Sequence, residues 1–82
     1  MERISQLEPG DEVLIRFKRK TALEVYESED VELDNPVEKI FEEGEEILIG
    51  IAEADEVKIG AELGSGIAFI RPDSVEIISI NP

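Results

Sequence analysis

Apolar and polar residues alternate along much of the chain, as they do in strands with one face in a core and the other in solvent. Two such segments lie near the N-terminus. The apolar positions are Val13, Ile15 and Phe17 in segment 12–18, and Leu23 and Val25 in segment 21–27. The alternation therefore predicts two strands here, each with one apolar face.

The second half of the chain carries the stronger strand pattern. Its alternating apolar positions are Ile47, Ile49 and Ile51, then Val57, Ile59, Ala61 and Leu63. Ala54-Asp55 predicts a turn between these two strands, and Gly50 and Gly60 predict bulges that bend them. Gly64-Ser65-Gly66 predicts a tight turn into a strand over 67–71. Pro72 cannot donate to a sheet, so 71–75 suits a 3₁₀ turn before a last strand over 76–80.

The acidic stretch, residues 27–46, separates the two groups of strands. It contains ten of the chain's 21 acidic residues and one base, Lys39: Glu27, Glu29, Asp30, Glu32, Asp34, Glu38, Glu42, Glu43, Glu45 and Glu46. We interpret it as a charged connection held by the sheet.

Residues 35–43 allow two local structures. Asn35 can cap a helix, Pro36 suits a first helical position, and Val37, Ile40 and Phe41 then share one face. This pattern predicts a helix of two turns at most. The alternative is a hairpin that turns at Glu43-Gly44, because Val37, Lys39 and Phe41 also alternate.

Length and composition narrow the classes of function. The chain has 82 residues, room for a single domain over 1–82, and it contains no cysteine and no histidine. Serine therefore has no imidazole to activate it, and the common zinc sites are excluded. We expect a non-enzymatic protein without a cofactor or a metal. No apolar run approaches the roughly 20 residues that span a bilayer, and no signal peptide precedes the strands, so we expect a cytoplasmic location.

The formal net charge of −13 disfavours contact with membranes and nucleic acids and favours a basic partner. The alternative is that the acidity serves solubility or a saline or hot habitat. The main basic patch is Arg16, Lys18, Arg19 and Lys20. We expect it to neutralise the acidic stretch, with weak nucleic acid contact through Arg16 to Lys20 as the alternative. The aromatic residues predict no stacking platform beside these bases.

The two ends of the chain resemble SH3-like small barrels. In that fold a Pro-Gly-Asp-type turn opens the first strand, as in Leu7-Glu8-Pro9-Gly10-Asp11, and a 3₁₀ turn precedes the last, as in Ile70-Arg71-Pro72-Asp73-Ser74-Val75. The opening alone is similar to FeoA-type members, whose Arg-Leu-x-x-Leu-Gly segment has no counterpart here. The resemblance implies a mainly β fold: one small antiparallel barrel or half-open sandwich of five to six strands, with a short helix or 3₁₀ turn.

Two kinds of contact follow from these patterns. The first is a protein–protein interaction module in which the acidic stretch engages a basic protein, in competition with nucleic acid in its strongest form. The second is an assembly subunit that associates with itself through exposed apolar residues such as Leu14, Ile78 and Ile80. Clustered charge favours the first, since electrostatic steering rises with local charge.

Overall fold

The computed structural model describes residues 6–27, 36–64 and 66–82. Within them the strands are β1 (Glu12–Phe17), β2 (Thr21–Glu27), β3 (Val37–Phe41), β4 (Glu46–Ala54), β5 (Ile59–Leu63), β6 (Gly66–Ile70) and β7 (Val75–Ile80). A 3₁₀ turn at Pro72–Ser74 precedes β7, where the sequence predicts it. The mainly β prediction is confirmed, with seven strands rather than five to six because β3 is a strand.

One antiparallel sheet holds all of these strands in the order β3-β2-β6-β5-β4-β1-β7. Among the described strands the sheet is not closed, so β3 and β7 are its two edges. Of the two predicted forms, a small barrel and a half-open sandwich, the unclosed sheet is nearer to the second. β1 and β2 follow each other in the chain but lie in different halves of the sheet. β1 pairs with β4 and β7 in one half, and β2 pairs with β3 and β6 in the other.

The concave face of the sheet encloses one hydrophobic core, to which β1, β2, β4, β5 and β6 all contribute. The side chains of Val13, Ile15 and Phe17 are each 0% exposed. Leu23 and Val25 are buried as predicted, as are Ile49 and Ile51. Period-two alternation thus identified the buried face correctly in β1, β2 and β4.

The predicted helix over 35–43 is wrong, although Asn35 itself lies outside the described residues. Val37–Phe41 is strand β3, paired along its whole length with β2 from Val25↔Val37 to Thr21↔Phe41. The Phe41 ring stacks on Phe17, with 4.7 Å between ring centroids. A two-turn helix is marginal without packing, whereas the strand gains a ladder and an aromatic contact. Of the alternative, the strand and the turn at Glu43-Gly44 are confirmed. The hairpin itself is wrong, because β3 pairs with β2 whereas β4, which follows the turn, pairs with β1 and β5.

The loop between β4 and β5 is longer than the alternation predicts. Val57 was predicted to face inward, but it is 78% exposed and lies outside the strands. The Asp55 carboxylate accepts the backbone N–H groups of Val57 at 2.7 Å and Lys58 at 2.9 Å. These bonds form a local turn that removes 55–58 from the ladder, and they hold the pKa of Asp55 below its usual range.

The glycine positions match two predicted features of the backbone. Gly10 has φ +95°, in the left-handed region that the Pro9-Gly10 turn requires, and its N–H donates to the Ile51 carbonyl. Near Gly60 the pairing of β4 with β5 is irregular, because one extra residue separates Ile51, opposite Ala61, from Glu53, opposite Gly60. These irregularities help the sheet to curve around its core.

Candidate functional site

The acidic stretch is part of the sheet and not only a connection between strands. Glu27 ends β2, Glu38 lies in β3, and Glu46 begins β4. Glu42, Glu43 and Glu45 lie in the turn between β3 and β4, and all three are exposed. The predicted site residues Glu29, Asp30, Glu32 and Asp34 lie outside the described residues.

The turn between β3 and β4 is ordered by its own backbone and by one of its carboxylates. The Glu45 carboxylate accepts the Glu42 N–H at 3.0 Å, and the Glu45 N–H donates to the Glu42 carbonyl at 3.1 Å. The turn is fixed to β1 because the Gly44 N–H donates to the Phe17 carbonyl at 2.8 Å. Glu45 therefore has a structural use, while Glu42 and Glu43 present their carboxylates to solvent.

One residue of the basic patch pairs with the acidic stretch as predicted. Arg16 donates to Glu46 Oε2 from Nη2 at 2.7 Å and from Nε at 3.0 Å, across β1 and β4. The two side chains are 42% and 39% exposed, so the pair contributes little to stability. In the part of the chain that the structure describes, Lys18, Arg19 and Lys20 form no ion pair within 4.0 Å, so the neutralisation prediction holds for Arg16 alone.

The remaining members of the basic patch border a groove on the outer face of the sheet, the face turned away from the core. This cationic groove has a volume of about 380 Å³ and lies between the turn at 18–20 and the 3₁₀ turn. Its lining includes Arg19, Lys20, Ala22, Phe69, Arg71 and Asp73. Sequence reasoning missed it, because Phe69 and Arg71 are about 50 residues from Lys20 along the chain.

The two turns that border the cationic groove are joined by hydrogen bonds. The Lys18 N–H donates to the Ser74 carbonyl at 2.9 Å, and Arg19 Nη2 donates to the Asp73 carbonyl at 2.7 Å. The Ser74 hydroxyl donates to the Arg71 carbonyl at 2.7 Å, which fixes the 3₁₀ turn. The Arg71 side chain itself donates to Asp73 Oδ2 from Nη2 at 3.2 Å, so Arg19 and Arg71 both contact Asp73 at the border of the groove.

Phe69 forms the floor of the cationic groove and is 50% exposed. The Lys58 ammonium lies 4.9 Å from the centre of its ring, and Lys58 Nζ is also 3.4 Å from Glu53 Oε1. Contrary to the sequence prediction, an exposed aromatic ring thus lies among four cations: Arg19, Lys20, Lys58 and Arg71.

A second depression, of about 310 Å³, shares Ala22, Leu23 and Phe69 with the cationic groove and continues past them. Its other lining residues are Glu24, Tyr26 and Glu38, so this end is acidic. The Tyr26 hydroxyl donates to Glu24 Oε2 at 3.1 Å. This hydrogen bond, together with the charge of Glu24, raises the pKa of Tyr26. The outer face of β2 thus joins a cationic groove to an acidic depression.

The apolar residues predicted to mediate self-association are less exposed than expected. Leu14, Ile78 and Ile80 are each half-buried, and Ile80 packs against the core. The exposed member of this region is Leu48, at 52%, which lies opposite Leu14 across β1 and β4. The outer face of these two strands carries a small apolar patch formed by Leu14 and Leu48.

Comparisons with protein families, curated proteins and solved structures matched nothing. The resemblance to SH3-like barrels stays a prediction. Within the described ranges no helix is long and apolar enough to cross a membrane, and no three acidic side chains are grouped as metal ligands.

Proposed function

We propose that this protein is a non-enzymatic interaction module whose acidic stretch binds a basic protein. The observation that carries the proposal is the position of the described carboxylates. Glu38 lies on β3, an edge strand, and Glu42 and Glu43 follow in its turn. They combine negative charge with a free strand edge.

The edge strand supplies a second element of recognition. β3 pairs with β2 on one side, and no described strand pairs with its other side. An unpaired strand edge presents backbone donors and acceptors to which a partner strand can bond. Basic side chains on such a strand would meet Glu38 directly and would be attracted from a distance by Glu42 and Glu43. Screening over a Debye length of about 8 Å makes this attraction sensitive to salt.

Affinity capture with matched charge variants tests the proposal. The variant is the triple change Glu38→Gln, Glu42→Gln and Glu43→Gln, which spares Glu45 and Glu46 because both make structural contacts. The control is Glu8→Gln, Glu56→Gln and Glu76→Gln, three exposed residues elsewhere on the surface. Both variants remove the same charge.

We expect the wild type and the control to capture the same basic protein from a lysate of the source organism, and high salt to release it. The β3 variant should lose that protein. Addition of nucleic acid to the captured complex tests the competitive form, in which the acidic stretch and the nucleic acid exclude each other. Equal capture by all three proteins would refute a role for this surface.

Self-association is a second candidate, favoured by the patch of Leu14 and Leu48. A Leu48→Lys variant would place a charge in that patch without changing the core, since Leu48 faces solvent. Light scattering should then show an oligomer for the wild type and a monomer for the variant. A monomeric wild type at high concentration would remove this candidate.

A further inference from the structure

We propose that the cationic groove binds a free nucleoside phosphate, with its phosphate between Arg19, Lys20 and Arg71 and its base on Phe69. This inference is independent of the proposed basic partner, although Glu38 of the acidic stretch lines the neighbouring acidic depression. It rests on an aromatic ring and a group of cations that the fold assembles from distant parts of the chain.

The distribution of cations is the first step. The protein has eight lysines and arginines against 21 acidic residues. Arg19, Lys20 and Arg71 nevertheless line one groove, and Asp73 is the acidic residue in its lining. On a surface of strong net negative charge, three cations against one carboxylate form a local site for an anion. Arginine suits phosphate in particular, because its planar fork can donate two parallel hydrogen bonds.

The groove is also held in place before any ligand binds. Arg19 is oriented by the Asp73 carbonyl at 2.7 Å, and Arg71 Nη2 lies 3.2 Å from Asp73 Oδ2 in an exposed ion pair that leaves its other donors open to a phosphate. Preorganised donors lose less entropy when they bind. The groove volume of about 380 Å³ lies at the small end of the range for small-ligand sites. A single nucleotide matches that size better than a duplex or a folded protein does.

Phe69 supplies the surface for the base. A half-exposed phenylalanine on the outer face of a sheet can stack on a planar ring. The Lys58 ammonium lies over the Phe69 ring, so a base must displace it. Lys58 has a second partner in Glu53 at 3.4 Å, and its charge therefore remains paired when it leaves the ring.

The acidic depression beyond Phe69 distinguishes a free nucleotide from a nucleic acid strand. A strand carries phosphates on both sides of each base, and its continuation past Phe69 would approach Glu24 and Glu38. A free nucleotide carries its negative charge at one end only. The exocyclic amino group of adenine can instead donate to a carboxylate at the acidic end. The N3–H donor of uracil lies between two carbonyl oxygens that a carboxylate repels, so adenine should be preferred to uracil.

Titration of the ¹⁵N-labelled protein, followed by backbone amide shifts, measures this binding directly. The probes are adenosine monophosphate, uridine monophosphate, adenosine, inorganic phosphate and a short oligodeoxyadenylate, at constant ionic strength. We expect adenosine monophosphate to shift the amides of Thr21, Ala22, Phe69 and Ser74 saturably at concentrations up to about 1 mM. Adenosine and phosphate alone should each bind more weakly, and uridine monophosphate should bind more weakly than its adenine counterpart.

Four variants locate the site. Lys20→Gln should weaken binding about five-fold, and Phe69→Leu by at least about five-fold. Asp73→Asn should strengthen it about two-fold or more, since it removes the carboxylate that pairs with Arg71 and keeps the backbone carbonyl that orients Arg19. Lys39→Gln is the matched control for Lys20→Gln, because Lys39 is exposed on β3 and outside the groove. It should change binding less than about two-fold.

Several results would overturn the inference. These are the absence of saturable shifts, equal binding of phosphate and nucleotide, or equal effects of Lys20→Gln and Lys39→Gln. An oligodeoxyadenylate that binds about ten-fold more tightly than adenosine monophosphate would also overturn the assignment to a free nucleotide. The amide spectrum of each variant reports whether it folds. The acidic-stretch variant Glu42→Gln should bind nucleotide as the wild type does, which separates this inference from the proposed function.

Discussion

Strands β1 and β3 have nearly the same pattern and opposite surroundings. Val13, Ile15 and Phe17 alternate in β1, and Val37, Lys39 and Phe41 alternate in β3. The three residues of β1 are fully buried, whereas β3 is exposed except at the half-buried Phe41. β1 lies between β4 and β7, but β3 is an edge. The number of neighbouring strands, and not the alternation itself, decides how much of a strand is buried.

β3 is also attached to the rest of the sheet by fewer strand pairings than β1 is. Among the described strands β3 pairs with β2 alone, and β2 pairs with β6 over three residue pairs, from Val25↔Ala68 to Glu27↔Gly66. β1 pairs with β4 over five residue pairs and with β7 over five more. An edge strand with few pairings can accept a partner strand, and it contributes less than β1 to the stability of the fold.

Replacement of each of the two stacked phenylalanines should give the largest difference in the free energy of unfolding between variants of β1 and of β3. Phe17→Ala removes a fully buried ring and should lower the free energy of unfolding by about 3–5 kcal/mol. Phe41→Ala removes the half-buried partner of the same stack and should cost about half as much. Urea denaturation of both variants measures this. Equal losses would mean that β3 contributes as much as β1.

Alanine substitutions at Gly66 and Gly50 test the packing between β2 and β6. An added Cβ at Gly66 would lie 2.5 Å from Val25 Cγ1 and 3.0 Å from the Tyr26 carbonyl oxygen. Gly66→Ala should therefore cost about 2–3 kcal/mol, since backbone and buried side chain must both move. At Gly50 the nearest contact is an ordinary 3.5 Å to Glu62, so Gly50→Ala is the control and should cost nothing or stabilise by up to about 0.5 kcal/mol. Thermal unfolding of both variants decides whether β2 and β6 are tightly packed against each other.

The same valine-to-alanine substitution can be compared in β1 and in β3. Val13 is 0% exposed in β1, and Val37 is 48% exposed in β3. Val13→Ala should lower the free energy of unfolding by about 1.5–2 kcal/mol, and Val37→Ala by about 0.5 kcal/mol. Chemical denaturation measures both. A loss at Val37 as large as that at Val13 would contradict the exposed position of β3.

The smallest effect should come from Asp55, which shapes the loop between β4 and β5. The N–H groups of Lys58 and Val57 lower its pKa in the folded protein below the ordinary value of 3.8. Its contribution to stability is therefore complete above that pH and disappears as the pH falls through the folded-state pKa. The stability difference between wild type and Asp55→Asn should be present at neutral pH and shrink in acid. The control Glu56→Gln removes the same charge from the same loop, and an equal pH dependence there would assign the effect to net charge.

The two candidate sites differ in how much of each the sequence alone shows. The acidic stretch is contiguous in sequence, so composition alone located it. The cationic groove joins Lys20 to Phe69 and Arg71, which lie about 50 residues further along the chain. No local pattern brings them together. The pairing of β2 with β6 and the bond from Arg19 to the Asp73 carbonyl do so.

Local chemistry in the sequence determined the mainly β class, the buried face of β1, the turn at Pro9-Gly10 and the 3₁₀ turn at Pro72–Ser74. Alternation, positive φ and a missing N–H act within a few residues and need no tertiary contact. Tertiary structure decided that Val37–Phe41 is a strand, that the sheet stays open, and that Phe69 lies among cations. The physical reason is that a short segment has marginal stability by itself, and the ladder with β2 and the stack on Phe17 select its structure.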